Sequence, residues 1–183
     1  QRIIGKEPRR IGLSATLGDY ELATQWLSSG TKRKTVIPNV PEEKRKIRLG
    51  IKYYEIEDKE DETSILDYYK DLYEKTLNKK CIIFSNSKSE VEENIAHLKK
   101  IAKNRNTKDI YYVHHANISN SLRRQAEEQM KSEEENAITG ATVTLELGID
   151  LGKLDRIVQT GSPFTVSSFV QRLRKKRKKR TTC

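Results

Sequence analysis

Cysteine is scarce in this chain of 183 residues, which contains only Cys81 and Cys183. Neither cysteine has the spacing of a metal-binding motif, and Cys81 opens the apolar run CIIF, where a small hydrophobic side chain fits. His114 and His115 are adjacent, so in an extended segment their side chains would point to opposite faces. We therefore predict no metal site, and the low cysteine content is typical of a reducing compartment.

Long apolar runs are also missing. No segment approaches the roughly 20 apolar residues that a membrane-spanning helix needs, and no signal peptide opens the chain. With 34% charged residues and a mean hydropathy of −0.80, we expect a soluble, cytoplasmic protein with no membrane partner. The length suits one domain, or one domain with part of a second. Gln1 in place of a methionine suggests a piece of a longer protein.

Positive charge is abundant but unevenly placed. The formal net charge is +10, and removing the eight basic residues between Arg172 and Arg180 leaves only +2. A basic end of this kind is typical of nucleic-acid binding, and equally of a solvated tail. Charge alone leaves both interpretations open.

Predicted strands alternate with predicted helices along most of the chain. Periodicity and β-branched content predict strands at residues 10–15, 35–37, 47–56, 80–85, 109–113, 136–142 and 154–160. Helices are predicted at residues 20–28 and 61–75, behind the possible caps Ser87 and Ser119, and from about Thr165. This alternation predicts an α/β fold with a doubly wound parallel sheet.

Polar residues recur directly after several of these strands. They are Ser14 to Thr16, Ser85 to Ser87, His114 to Ser119, Thr142, and Gly161 to Pro163 on the way to Gln171 and Arg172. The carboxyl ends of parallel strands are where such sheets bind ligands, and turn amides with hydroxyl groups suit phosphates. Each turn taken alone is also compatible with an ordinary helix cap. Together they predict a groove for a nucleic-acid backbone.

The stretch 139–163 is central to this prediction. It comprises a strand, a turn through residues 145–150 and a second buried strand. Thr142 and Thr144 precede the turn, and Asp150 ends it. We predict that this turn links a nucleotide site to the nucleic-acid groove.

Four motifs resemble one known family. IGLSATLGD at 11–19, CIIFSNSKSEVE at 81–92, VHHANISNSLR at 113–123 and TVTLELGIDLG at 142–152 are similar, in order and spacing, to motifs of superfamily-two ATP-dependent helicases of the Lhr-like (large helicase-related) type. The resemblance implies a RecA-like fold with three αβα layers. It implies that residues 1–37 are the end of a first RecA-like domain, 38–46 a linker and 47–183 a second such domain, with a basic tail at 172–183.

The resemblance also implies roles for individual residues. On the nucleotide or coupling side it places Ser14, Thr16, Gly148 and Asp150. On the nucleic-acid side it places Ser85, Asn86, Ser87, His115, Asn117, Ser119 and Thr142. Catalytic positions in the family's final motif fall on Gln171 and Arg172.

The chain departs from the family pattern in two ways. After Gln171, Arg172 and Leu173 the final motif lacks its glycines, and the expected later arginines fall on Lys175 and Lys178. A lysine does not replace the planar guanidinium in phosphoryl transfer. The chain also has neither a G-x-x-x-x-G-K-[ST] loop nor an Asp-Glu box. We therefore expect ATP and Mg²⁺ to be cofactors of the full-length enzyme, with neither bound tightly and no ATPase activity in this chain alone.

The expected partners are the missing first RecA-like domain and single-stranded or duplex nucleic acid, with DNA slightly favoured over RNA. The alternative is a non-catalytic α/β nucleic-acid-binding module that acts through its basic C-terminal end. The two hypotheses differ in whether binding depends on the strand-end turns or on that basic end.

Overall fold

The computed structural model describes five stretches of the chain, namely residues 8–14, 17–38, 47–55, 62–142 and 153–174. The chain divides into two compact units, Gln1–Lys52 and Tyr53–Cys183. The predicted linker at 38–46 lies outside the described residues except for Pro38, so the proposed domain boundaries stay a prediction. Across the described stretches, no helix is long and apolar enough to cross a membrane.

The described residues of the first unit contain one helix, α1 (Tyr20–Ser28), as predicted. Asp19 caps it, because an Asp19 carboxylate oxygen accepts the backbone N–H of Leu22 at 2.9 Å. Gly30 follows with φ +68°, a conformation that favours glycine and stops the helix. The strands predicted at 10–15 and 35–37 are wrong over their described residues, which pair with no neighbouring strand in the described structure.

The second unit contains the sheet. Its elements are α2 (Glu62–Thr76), β1 (Cys81–Phe84), α3 (Lys88–Asn104), β2 (Tyr111–His114), α4 (Asn120–Lys131), β3 (Ile138–Ala141), β4 (Arg156–Gln159) and α5 (Val166–Arg174). Each agrees with a predicted element to within a few residues at either end. The strand predicted at 47–56 is wrong for 47–55, which forms no ladder; Leu49, Ile51 and Tyr53 are exposed there. Alternating apolar residues form a β-strand only where a neighbouring strand is present to pair with them.

The four strands form one parallel sheet in the order β2-β3-β1-β4. From β1 the chain crosses to β2 through α3, and then steps back to β3 through α4. Because such crossovers are right-handed, steps in opposite directions place their helices on opposite faces of the sheet. The predicted doubly wound α/β fold is confirmed.

Side chains of β1 alternate between two apolar clusters. Cys81 and Ile83 pack in a cluster with residues of α2 and α3, including Ile95. Ile82 and Phe84 pack in the other, with Met130 of α4. Helices therefore cover both faces, which is the three-layer αβα arrangement. With both faces covered, the sheet leaves its edges and strand ends available for contacts with ligands.

Candidate nucleic-acid interface at the carboxyl edge of the sheet

The strand register places four predicted turns side by side. Phe84 aligns with Ala141 and Gln159, and Ala141 aligns with His114, so these four residues end their strands at one level. The residues that follow them, Ser85, Thr142, Thr160 and His115, therefore lie at one edge. We call this the carboxyl edge, defined by residues 85–87, 115–119, 142 and 160–162.

The first turn of the carboxyl edge has its side chains engaged within the protein. Ser85 is fully buried; its Oγ lies 2.8 Å from Thr160 Oγ1 and accepts Asn94 Nδ2–H at 3.2 Å. Asn86 Nδ2 donates to the carbonyl of Ser162 at 2.9 Å. A buried hydroxyl cannot meet a nucleic acid directly, so Ser85 can act on a bound strand only by shaping the turn.

Ser87 caps α3, as the capping-box pattern predicts. Its Oγ accepts the backbone N–H of Glu90 at 3.1 Å. The second half of the box differs, because Glu90 Oε2 accepts the N–H of Asn86, at 3.1 Å, instead of the N–H of the cap residue. Ser87 is exposed, and it stands at a helix N-terminus where amide groups favour anions.

The second turn is held by two buried histidines that face opposite layers. His114 Nε2 lies 3.0 Å from Glu127 Oε1 of α4, and His115 Nε2 lies 2.8 Å from Glu92 Oε1 of α3. His115 Nδ1 accepts the backbone N–H of Asn117 at 3.3 Å, so the proton of the neutral ring is on Nε2 and is donated to Glu92. His115 is only 1% exposed, so its side chain faces the protein and not the groove.

The exposed polar residues of the second turn are Asn117 and Ser119. Asn117 Oδ1 accepts a hydrogen bond from Lys88 Nζ at 2.8 Å, and Ser119 caps α4 by accepting the N–H of Leu122 at 3.4 Å. Lys88, for which no motif of the sequence predicts a role, therefore joins the first turn to the second. Its exposed ammonium is a group that can contact a phosphate.

Residues predicted for the nucleotide side are only partly placed. Thr16, Gly148 and Asp150 lie outside the described residues, and Ser14 is exposed in the first unit. Thr142, which was predicted for the nucleic-acid side, is buried at the carboxyl edge, with 8% of its surface exposed.

The two predicted catalytic residues lie on α5, where Gln171 is half-buried. Arg172 is 1% exposed, and its guanidinium lies 4.8 Å from the ring centroid of Phe84, in cation–π geometry. Arg172 is therefore part of the packing beneath β1, and its catalytic role stays a prediction. Within the described ranges, no group of three or more His, Cys, Asp and Glu residues could hold a metal ion.

Comparison with known sequences identifies relatives across most of the chain. A profile of the helicase conserved C-terminal domain matches residues 64–176. The ATP-dependent helicase Lhr-Core protein 2 of Thermococcus barophilus is 32% identical over 170 residues, which are 90% of this chain and 19% of that protein. The ATP-dependent helicase Lhr-Core of Methanothermobacter thermautotrophicus is 32% identical over 180 residues, 94% of this chain and 20% of that protein. The chain thus spans about a fifth of the length of the curated relatives it matches.

A solved structure shares the fold. The Mycobacterium smegmatis helicase Lhr, bound to ssDNA and AMP-PNP, superposes with a TM-score of 0.76 and 26% sequence identity. The match covers 91% of this chain and 22% of that one. It supports the RecA-like interpretation of the four-stranded parallel sheet.

Proposed function

The chain belongs to the helicase conserved C-terminal domain family, and from this premise we propose that it is the second RecA-like domain of an Lhr-like ATP-dependent helicase. The parent enzyme couples ATP hydrolysis to movement along a nucleic-acid strand. The observation that carries this proposal is the convergence of four strand-end turns on the carboxyl edge. The domain boundaries of the chain are those predicted from the sequence: residues 1–37 are the end of the first RecA-like domain, 38–46 are the linker and 47–183 are the second domain. The remainder of the first domain is the principal protein partner.

The carboxyl edge forms part of the strand-binding groove. Lys88, Ser87, Asn117 and Ser119 present exposed polar groups there, beside the N-termini of α3 and α4. Contacts of this kind are made to phosphates, so binding is weakly sequence-dependent and weakens as salt concentration rises. Single-stranded DNA is the favoured partner, because the Lhr helicase with the same fold was solved with ssDNA.

The nucleotide site is shared with the first domain. Of the residues assigned to the family's final motif, Gln171 is half-buried and Arg172 is enclosed against Phe84. We assign Gly148 and Asp150 to one wall of the ATP site. The phosphate loop and the metal ligands then belong to the first domain.

Removal of the basic end distinguishes nucleic-acid binding in the groove from binding by the basic C-terminal residues, as the alternative hypothesis requires. A chain lacking residues 174–183 is expected to keep salt-sensitive binding to a fluorescently labelled single strand, although more weakly, because each lost phosphate contact reduces the counterion release that favours binding. The measurement is fluorescence anisotropy across a salt series, with circular dichroism to verify the fold. Complete loss of binding by the folded, shortened chain would establish the basic-module alternative.

Replacement of Asp150 by alanine tests the nucleotide role. With the first domain supplied, ssDNA-stimulated ATPase activity is expected to fall roughly 10- to 100-fold, because a charge-assisted hydrogen bond is worth about 1.5–3 kcal/mol. Asp67→Ala is the matched control, since Asp67 lies on the exposed face of α2 and pairs only with Lys70 at 3.5 Å among the ion pairs of the described residues. If ssDNA still stimulates the ATPase activity of the Asp150→Ala variant as strongly as that of the wild type, Asp150 does not have the assigned role in the ATP site.

A further inference from the structure

One carboxylate at the carboxyl edge accepts hydrogen bonds from two different turns. Glu90 Oε1 accepts the hydroxyl proton of Thr160 at 2.8 Å, and Glu90 Oε2 accepts the N–H of Asn86 at 3.1 Å. Asn86 belongs to the turn after β1, whereas Thr160 opens the turn after β4. Glu90 itself is on the first turn of α3. Its side chain therefore joins three elements at one point.

The hydrogen bonds around Glu90 have a single direction. Thr160 Oγ1 donates to Glu90 Oε1 at 2.8 Å, a shorter contact than the 3.3 Å to the carbonyl of Phe84. With the Thr160 proton on the side of Glu90, Ser85 donates to Thr160 Oγ1, and Ser85 Oγ accepts from the amide of Asn94. An ionised carboxylate only accepts, so Glu90 is the point at which this chain of donors ends.

The same two turns also touch directly. Asn86 Nδ2 donates to the carbonyl of Ser162 at 2.9 Å. Gly161, with φ +77°, packs so closely that an added Cβ would lie 3.2 Å from Asn86 Nδ2. The turn 160–162 leads on through Pro163 to α5, the helix that carries Gln171. A shift of either turn must therefore be transmitted to the other.

We propose that Glu90 is a positioning residue that locks the turn after β1, on the nucleic-acid side, to the turn that leads into α5 on the nucleotide side. The proposal rests on the proposed function, since it assigns a purpose to the relative placement of these two turns. Glu90 acts through Asn86 and Thr160 and touches neither ligand. Both its oxygens are needed, because each fixes a different turn.

Electrostatics and positioning predict opposite results for Glu90→Gln. Removal of a negative charge beside a phosphate groove would strengthen binding to a polyanion if charge alone mattered. Glutamine can still accept the Asn86 N–H with its amide oxygen and donate its NH₂ group to the Thr160 hydroxyl, whose proton would then turn to the Phe84 carbonyl, 3.3 Å away. Both turns, however, lose their hydrogen bond to a carboxylate, and a hydrogen bond to a neutral group is roughly half as strong. We expect affinity for a single strand to fall about three- to tenfold, because both turns are then held less firmly.

The matched control is Glu93→Gln on the same helix. Glu93 Oε1 accepts a hydrogen bond from Tyr69, so this variant also converts a hydrogen-bonded carboxylate of α3 to an amide, away from the strand ends. Both variants gain one unit of positive charge. Fluorescence anisotropy with a labelled oligothymidine, using the full chain, is expected to show weaker binding for Glu90→Gln only.

A second pair of variants preserves the charge. Thr160→Val removes the hydroxyl, whereas Thr160→Ser keeps it, so the valine variant is expected to bind more weakly and the serine variant to match the wild type. Amide exchange by NMR supplies a measurement without nucleic acid: the Asn86 N–H is expected to exchange faster in Glu90→Gln but not in Glu93→Gln.

These outcomes separate the inference from the function on which it rests. If the wild-type chain binds no single strand, the proposed function fails, and the exchange of Asn86 still decides whether Glu90 holds the turn. If the wild type binds, and Glu90→Gln binds equally well or more tightly, the positioning role is overturned. Unchanged Asn86 exchange in Glu90→Gln would overturn it as well.

Discussion

Replacement of Phe84 by alanine is expected to lower the free energy of unfolding by about 3–5 kcal/mol, the range for removing a buried aromatic ring from a packed core. Phe84 is fully buried at the end of β1, a strand with a neighbour on each side. Its ring packs in the cluster that contains Ile82 and Met130, and it faces the guanidinium of Arg172. Urea unfolding followed by circular dichroism measures the change.

Phe164→Ala is the matched control for this experiment. Phe164 is 76% exposed, so truncation of its ring is expected to change the free energy of unfolding by less than about 0.5 kcal/mol. A Phe84→Ala variant as stable as Phe164→Ala would contradict the buried position of Phe84. Phe84→Ala also removes the ring over which the Arg172 guanidinium lies. This variant therefore also tests whether the packing of α5 depends on the contact between Arg172 and Phe84.

Replacement of Gly140 by alanine is expected to destabilise the chain by about 1–3 kcal/mol, the usual cost of overpacking a core. Gly140 is buried in the middle of the sheet, where α3 approaches β3 closely. A Cβ at this position would lie 2.7 Å from Ile95 Cγ1 and 3.1 Å from Val91 Cγ1. The Ile95 side chain, or the helix or strand that brings it here, must move, and the gain of about 0.4–1 kcal/mol from a stiffer unfolded chain does not offset this cost.

Gly50→Ala provides the comparison, because a Cβ added to Gly50 meets no described atom within 4 Å. Its expected effect on the free energy of unfolding is within about 0.5 kcal/mol. A double-mutant cycle with Ile95→Ala sharpens the result. If the steric contact is the cause, Gly140→Ala costs less in the Ile95→Ala background than in the wild type. Equal costs in the two backgrounds would refute it.

Local features of the second unit could be predicted from the sequence. Ser87 and Ser119 cap their helices as their spacing predicts, and the apolar run CIIF forms the central strand β1. These features depend on residues within one turn or one strand of each other. The same holds for Asp19 and α1 in the first unit.

The contacts that organise the carboxyl edge could not be predicted in this way. Thr160 and Glu90 are 70 residues apart, and Ser85 and Thr160 are 75 apart, so only the register of β1 beside β4 brings them together. From the hydroxyl groups at the strand ends we predicted contacts with phosphates. Ser85, however, is buried, and its hydroxyl group forms hydrogen bonds with other side chains. The strands predicted at 10–15 and 47–56 are wrong over their described residues, 10–14 and 47–55, for a related reason. Their alternating residues satisfy a local pattern, whereas a strand also requires a partner that the local pattern does not specify.

The two histidines at the end of β2 have a consequence for how the domain opens. β2 is the outermost of the described strands on its side of the sheet, the position from which a sheet ordinarily frays. His114 contacts α4 on one face, while His115 contacts α3 on the other. Separation of β2 from the sheet must therefore break contacts with both helical layers at once. We therefore expect the edge strand and its two flanking helices to open as one cooperative unit, together with the turn that follows β2.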